Sequence, residues 1–128
     1  MRKDVKQAWV KELQMTTVRQ IRGSLGKVSM DNTVAGAGNC CLGVLCTVLE
    51  RQFPEILEEA GVKIDTSKEG EMYLSCPSTS ENTLLFGNID TKLWHLLDPN
   101  ESQNMYWQMN DCQGMSFHEI ADKIKEYE

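Results

Sequence analysis

The stretch Asn39-Cys40-Cys41-Leu42-Gly43-Val44-Leu45-Cys46-Thr47-Val48-Leu49-Glu50-Arg51-Gln52 decides how the rest of the chain is read. From Cys40 to Leu49 it is almost wholly apolar, and such a run carries no periodicity that separates a buried helix from a central strand. Length separates them. With Glu50-Arg51-Gln52 the segment reaches about thirteen residues, well beyond the ~5–6 of a usual strand, so a buried helix is predicted. Asn39 is placed to cap it, since a short amide side chain accepts from an otherwise orphaned backbone N–H. Gly43, lacking a Cβ, lets another element approach the helix backbone closely.

Working upstream, Met30 to Gly38 reads as loop, with Asp31-Asn32 and Ala35-Gly36-Ala37-Gly38 favouring turns. Residues 16 to 29 read as an extended segment, because Thr16-Thr17-Val18 groups β-branched residues and Gly23 and Gly26 interrupt any helix. Before them, Lys3 to Met15 sets Val5, Trp9, Val10 and Leu13 on one narrow apolar stripe of a helix. Working downstream, Pro54 starts a short helix and Gly61 ends it. Two strands, Glu71 to Cys76 and Thr83 to Gly87, flank the turn-rich Pro77-Ser78-Thr79-Ser80-Glu81-Asn82 and are expected to form a hairpin. Asp90 caps a helix through Leu97 that Pro99 closes, and Asn100 with Gln103 caps another through Met109. In the last element, Ser116 and Glu119 have capping-box spacing, and Phe117, Ile120, Ala121, Ile124 and Tyr127 recur on one helical face. The fold class expected is α+β: a helix-rich single domain over residues 1–128, with a small antiparallel β-hairpin packed against the cysteine helix and the C-terminal helix.

Composition narrows the function. A chain of 128 residues suits one domain that hides about two-thirds of its unfolded surface. Its apolar residues come in runs far shorter than the ~18–20 that a membrane span needs, so no membrane partner is expected. The charged start Met1-Arg2-Lys3-Asp4-Val5-Lys6 lacks a signal core, and export is not expected. Five cysteines, Cys40, Cys41, Cys46, Cys76 and Cys112, are an odd number without a disulfide-framework spacing, which fits reduced thiols acting as small buried hydrophobes in a cytosol. The net charge of −6 is unevenly divided. Residues 1 to 27 hold seven basic side chains against two acidic ones, a balance of +5, whereas residues 28 to 128 hold six against seventeen, giving −11. That acidic majority disfavours a nucleic-acid partner, while a compact anion still finds attraction near the N-terminal segment.

Two segments together bring a family into view. Asn39-Cys40-Cys41-Leu42-Gly43-Val44-Leu45-Cys46, with Met109-Asn110-Asp111 and Gly114-Met115-Ser116-Phe117-His118-Glu119-Ile120-Ala121-Asp122-Lys123-Ile124, resembles a group of small uncharacterised bacteriophage and prophage proteins. Their signature is Cys-Cys-Leu-Gly-Val, then Leu-Asn-Asp, a Gly, and Ser or Thr-Phe-x-x-Ile-Ala. Trp9, Leu13, Gln20, Gly23 and Leu25 also fall on the family's opening pattern, while Gln14, Met15, Thr16 and Val18 depart from it. The resemblance implies a viral accessory protein in the host bacterial cytoplasm, and it brings no catalytic residues with it.

The residues themselves offer several chemistries. Cys40 or Cys41 at a helix N-terminus feels the dipole's positive end and is the candidate nucleophile, but a nucleophilic thiol needs a histidine in reach, and only His95 and His118 exist. The cysteines have no Cys-x-x-Cys spacing, so no metal and no cofactor are expected. Asp111 and Glu119 are explained by a turn and a cap more simply than by acid–base work. Arg19, Arg22 and Lys27, interleaved with glycine and serine, can cradle a phosphate. Trp94, Met105, Tyr106, Trp107 and Met109 cluster late as core or subunit contact, Trp107 offering a stacking surface and the cluster suggesting a homo-oligomer. The expected function is therefore that of a non-enzymatic phage accessory protein that binds a host protein or a small anionic nucleotide-like ligand through Arg19, Arg22, Lys27 and Trp107, to counter a host defence. The alternatives are a cysteine-dependent enzyme using Cys40 or Cys41, and a structural or regulatory protein that binds a host polypeptide.

Overall fold

The computed structural model of the chain describes residues 1–21, 25–27, 38–66, 72–75 and 89–126. The fold is α+β and helix-rich, with six helices and two two-stranded antiparallel sheets among these residues. The decisive stretch is a helix, α2 (Cys41–Gln52), buried at every position from Cys41 to Leu49 except the half-buried Thr47. Asn39 does not cap it. Cys40 occupies the cap, its Sγ accepting from the Gly43 N–H at 3.4 Å, because Asn39 is already committed as a strand residue. Its N–H donates to Arg19 O (2.8 Å), its carbonyl accepts from the Ile21 N–H (2.9 Å), and its side-chain amide meets Met72 Sδ (3.5 Å).

That strand is β2 (Gly38–Asn39), paired antiparallel with β1 (Gly26–Lys27) on one side and bridged in parallel by Gln20 on the other. The expected extended character of residues 16 to 29 is thus present at Gln20 and at Gly26–Lys27. Leu25 then meets α2 directly. Its carbonyl accepts from the Cys40 N–H (3.0 Å), and a Cβ on Gly43 would overlap the same carbonyl, so the glycine admits backbone against backbone.

α1 (Lys3–Met15) buries Val5, Trp9, Val10 and Leu13, the stripe expected from spacing, against α2 and α6 (Phe117–Glu126). α3 (Pro54–Ala60) begins at the proline and ends at Gly61, whose φ of 70° is left-handed and suits a residue without Cβ. α4 (Thr91–Leu97) is capped by Asp90 Oδ2, which accepts from the Leu93 N–H at 3.1 Å. α5 (Asn104–Asp111) starts four residues after Asn100, the expected cap. The reason lies in Asp98, whose Oδ1 accepts from the N–H groups of both Asn100 and Glu101 (3.2 Å each) and holds them in a turn. Gln103 is also diverted, since its amide clasps the Ile89 backbone by two bonds of 2.7 and 2.6 Å. The other oxygen of the buried Asp98 pairs with the Met1 ammonium at 3.1 Å.

The capping box of α6 forms as the spacing requires, with Ser116 N–H to Glu119 Oε1 at 3.1 Å and Glu119 N–H to Ser116 Oγ at 3.2 Å. Phe117, Ile120, Ala121 and Ile124 are buried, and Tyr127 lies outside the described residues.

The hairpin differs from the expected one. β4 (Met72–Ser75) falls within Glu71 to Cys76, but it pairs with β3 (Lys63–Thr66) in the register Lys63↔Ser75 through Thr66↔Met72. The second expected strand, Thr83 to Gly87, lies outside the described residues. β3 had a legible signal, the alternation Val62-Lys63-Ile64-Asp65 directly after Gly61. The packing differs too: β2 lies on α2, β4 lies on β1, and α6 packs on α1 and α5. Buried side chains from all six helices, with Leu25, Val62, Leu74 and Ile89, form one continuous cluster.

Candidate functional site

The N-terminus of α2 is a junction of backbone ends, and Asn110 of α5 ties it together. Fully buried, Asn110 accepts at Oδ1 from Gln20 Nε2 (2.8 Å) and from the Cys41 backbone N–H (3.1 Å). Its Nδ2 donates to Ile21 O and to Asp111 Oδ1, both at 2.8 Å. Gln20 Nε2 donates further to Met115 O (2.7 Å), and Trp9 Nε1 donates to Cys41 O (2.9 Å). A carboxamide both accepts and donates in one plane, which no apolar residue of this size replaces. Asn110→Ala strands the buried Cys41 N–H and removes the donor to the carbonyl of the half-buried Ile21. A loss of about 2–3 kcal/mol follows from the cost of unsatisfied buried polar groups, to be read from the urea midpoint. A midpoint equal to wild type refutes this role.

The candidate nucleophiles sit within that junction. Cys40 is 3% exposed, and Cys41 and Cys46 are 0% exposed. Burial pushes the Cys40 thiol up to about 11 against the opposing Gly43 N–H, and it pushes Cys41 well above the ordinary thiol value, with the charges of Cys40 and Asp111 adding to the rise. Cys46 is raised by burial as well. The Cys41 thiol is engaged as a donor to Tyr106 O at 3.3 Å. The helix N-terminus therefore does not win over desolvation, and thiolate, the reactive form, is scarce at neutral pH. His95 on α4 and His118 on α6 are exposed. Glu119 is held by its cap, the Ser116 N–H keeping its carboxyl below the usual value. Among the described residues no group of three or more His, Cys, Asp or Glu side chains is arranged to hold a metal ion. Cys76 lies outside them.

The expected ligand-binding residues are only partly brought together. Arg19 is exposed, and its carbonyl receives the Asn39 N–H, while Lys27 pairs with Gly38 in β1, so their backbones flank β2 on its two sides. The Lys27 side chain and all of Arg22 lie outside the described residues. Trp107 is half-buried on α5, where its Nε1 donates to Asn104 Oδ1 at 3.0 Å. Asn110 joins the segment after Arg19 to α5, yet the Trp107 indole is satisfied within its own helix. The neighbouring rings are core: Tyr106 packs edge-on to Trp9 at 5.1 Å and tilted to Trp94 at 5.6 Å between centroids.

A different basic site is formed on α1. Lys3, Lys6, Gln7, Val10, Lys11 and Gln14 line a groove of about 790 Å³ closed by Met1 and by Lys125 of α6. Their spacing of three, four, seven, eight and eleven from Lys3 is one continuous helical stripe that meets the buried one at Val10. Lys3, Lys11 and Lys125 are exposed and enter no ion pair among the described residues. The volume lies within the ~300–1,000 Å³ of small-molecule clefts. The +5 balance of the first 27 residues includes this helix, whereas Arg19, Arg22 and Lys27 follow it and Trp107 stands on α5. The missed signal was the periodicity of the polar residues of α1. No described helix is long and apolar enough to cross a membrane. Comparison with protein-family models, curated proteins and solved structures finds no match to the chain.

Proposed function

We propose that the chain is a non-enzymatic bacteriophage accessory protein that acts in the host bacterial cytoplasm by binding a small anionic, nucleotide-like ligand, and so withholds a defence signal from the host. The observation that carries the binding reading is the groove between α1 and α6, where four lysines of a net-acidic chain converge on one cavity of about 790 Å³. Lysines gathered around a concave surface focus positive potential and raise the local concentration of anions. The viral setting rests on the resemblance of the Cys-Cys-Leu-Gly-Val and Asn-Asp segments. Binding is favoured over covalent catalysis by the sealed, protonated thiols of α2.

Isothermal titration with cyclic and ADP-ribose-type nucleotides at low salt tests it. At least one member is expected to bind, with affinity reduced tenfold or more in Lys11→Glu/Lys125→Glu and unchanged in Lys92→Glu on α4. Arg19→Ala, after α1, and Trp107→Ala, on α5, distinguish this groove from the residues expected from sequence, since both are expected to keep wild-type affinity. Flat isotherms across this panel and with AMP, ADP and ATP overturn the reading.

A further inference from the structure

The charge order along α1 runs against helix stability. Its first turn carries Lys3, followed by Lys6, with Asp4 as the acidic residue there, and its last turn holds no basic residue, its Glu12 meeting Arg51 of α2 at 3.7 Å instead. Cations near a helix N-terminus and an anion near its C-terminus oppose the macrodipole, each costing a few tenths to about 1 kcal/mol. α6 has the favourable order, with Glu119 in its first turn and Lys123 and Lys125 in its last. Lys3 and Lys6 therefore stand where helix stability alone does not favour cations.

The stripe also has a length. From Lys3 to Lys11 the helix rises about 12 Å at 1.5 Å per residue, a length that a chain of phosphoryl groups follows and one phosphate does not fill. Lys125 faces the stripe from α6, and the almost wholly buried Val10 and Met1 side chains form the floor beneath the lysine stems. Gln7 and Gln14 place amides along the same stripe, each able to donate and accept toward a ring edge.

Resting on the binding reading above, the geometry points to a nucleoside polyphosphate as the ligand of this groove: a chain of phosphoryl groups laid along Lys3, Lys11 and Lys125, with the nucleoside over the lysine stems and beside the amides of Gln7 and Gln14. A lone phosphate or a nucleoside monophosphate leaves most of the stripe unused. Charge count therefore governs affinity, and the binding is salt-sensitive because exposed lysines are screened beyond about 10 Å at 0.1 M ionic strength.

Titrations of the full chain with AMP, ADP, ATP, inorganic phosphate and tripolyphosphate at low and high salt test the assignment. Affinity is expected to rise tenfold or more from AMP to ATP, with ATP binding more tightly than tripolyphosphate. Lys3→Glu and Lys11→Glu should each lower ATP affinity several-fold while leaving AMP nearly unaffected. Both side chains are exposed, and unchanged circular dichroism and thermal midpoints certify the fold of the variants. Equal affinity for AMP and ATP, or wild-type affinity in Lys3→Glu/Lys11→Glu, overturns the polyphosphate assignment while leaving a nucleotide-binding protein. Tripolyphosphate binding as tightly as ATP overturns the role of the nucleoside. If none of these compounds and no cyclic or ADP-ribose-type nucleotide binds, the binding reading itself falls with it.

Discussion

Gly43→Ala is expected to remove a large part of the protein's stability, although alanine is the better helix former by about 1 kcal/mol. The methyl group has nowhere to go. It would overlap the Leu25 carbonyl oxygen, sit 2.7 Å from the Leu25 carbonyl carbon and 3.0 Å from Asn39 Nδ2. Leu25 cannot yield cheaply, because its oxygen accepts from the Cys40 N–H that opens α2 and the next residue begins β1. Overpacking a core side chain costs about 1–3 kcal/mol, and a clash with backbone on both sides belongs at or above the top of that range. Against a total stability of about 5–15 kcal/mol the loss is large. Urea titration with Thr47→Ala as the control on the same helix measures it. A Gly43→Ala midpoint at or above wild type would show that α2 does not lie on Leu25.

The same glycine illustrates what is legible in one sequence. Its need for close approach followed from a glycine inside an apolar helical run, and α3, α4 and α6 followed from Pro54, Gly61, Asp90 and the Ser116–Glu119 box, because each of those signals is local. Asn39 and Asn100 misled for one reason. Both are good caps in isolation, yet tertiary partners had already taken the groups involved: Arg19 and Ile21 hold the Asn39 backbone, and Asp98 holds the Asn100 N–H. The pairing of β4 with β3 was hidden by a more conspicuous turn sequence after it, whereas β3 carried only a short alternation. The role of Asn110 depends on where three distant segments cross, and no local pattern encodes that. The groove was half legible. Net charge located it only within the first 27 residues, and its fourth lysine comes from residue 125, a neighbour only in the folded chain.

The protein is expected to lose stability steeply as pH rises above about 9, well before its thiols ionise in the native state. An unfolded cysteine titrates near 8.5, whereas burial raises Cys40 to about 11 and raises Cys41 and Cys46 as well. For an acid whose folded value is raised, the unfolded chain releases its proton first, so the unfolded state binds fewer protons and stability falls with increasing pH. The loss begins at the unfolded value and ends when the folded thiol finally ionises. Each such proton contributes about 1.4 kcal/mol per pH unit, so three thiols together give a slope on the order of 4 kcal/mol per pH unit. That slope exhausts a stability of about 5–15 kcal/mol within a few pH units. Urea unfolding under reducing conditions between about pH 8 and 10.5 tests this. Cys46→Ala should start from a lower stability, because it leaves a cavity, yet show a slope about one third shallower, which separates the proton linkage from the packing loss. In the same pH range the three thiols should be alkylated only as fast as the structure opens, since a buried group reacts through the exposed state. A stability that stays level to pH 10.5, or rapid alkylation of Cys40 in the native fold at neutral pH, would put a thiolate where the packing has no room for one.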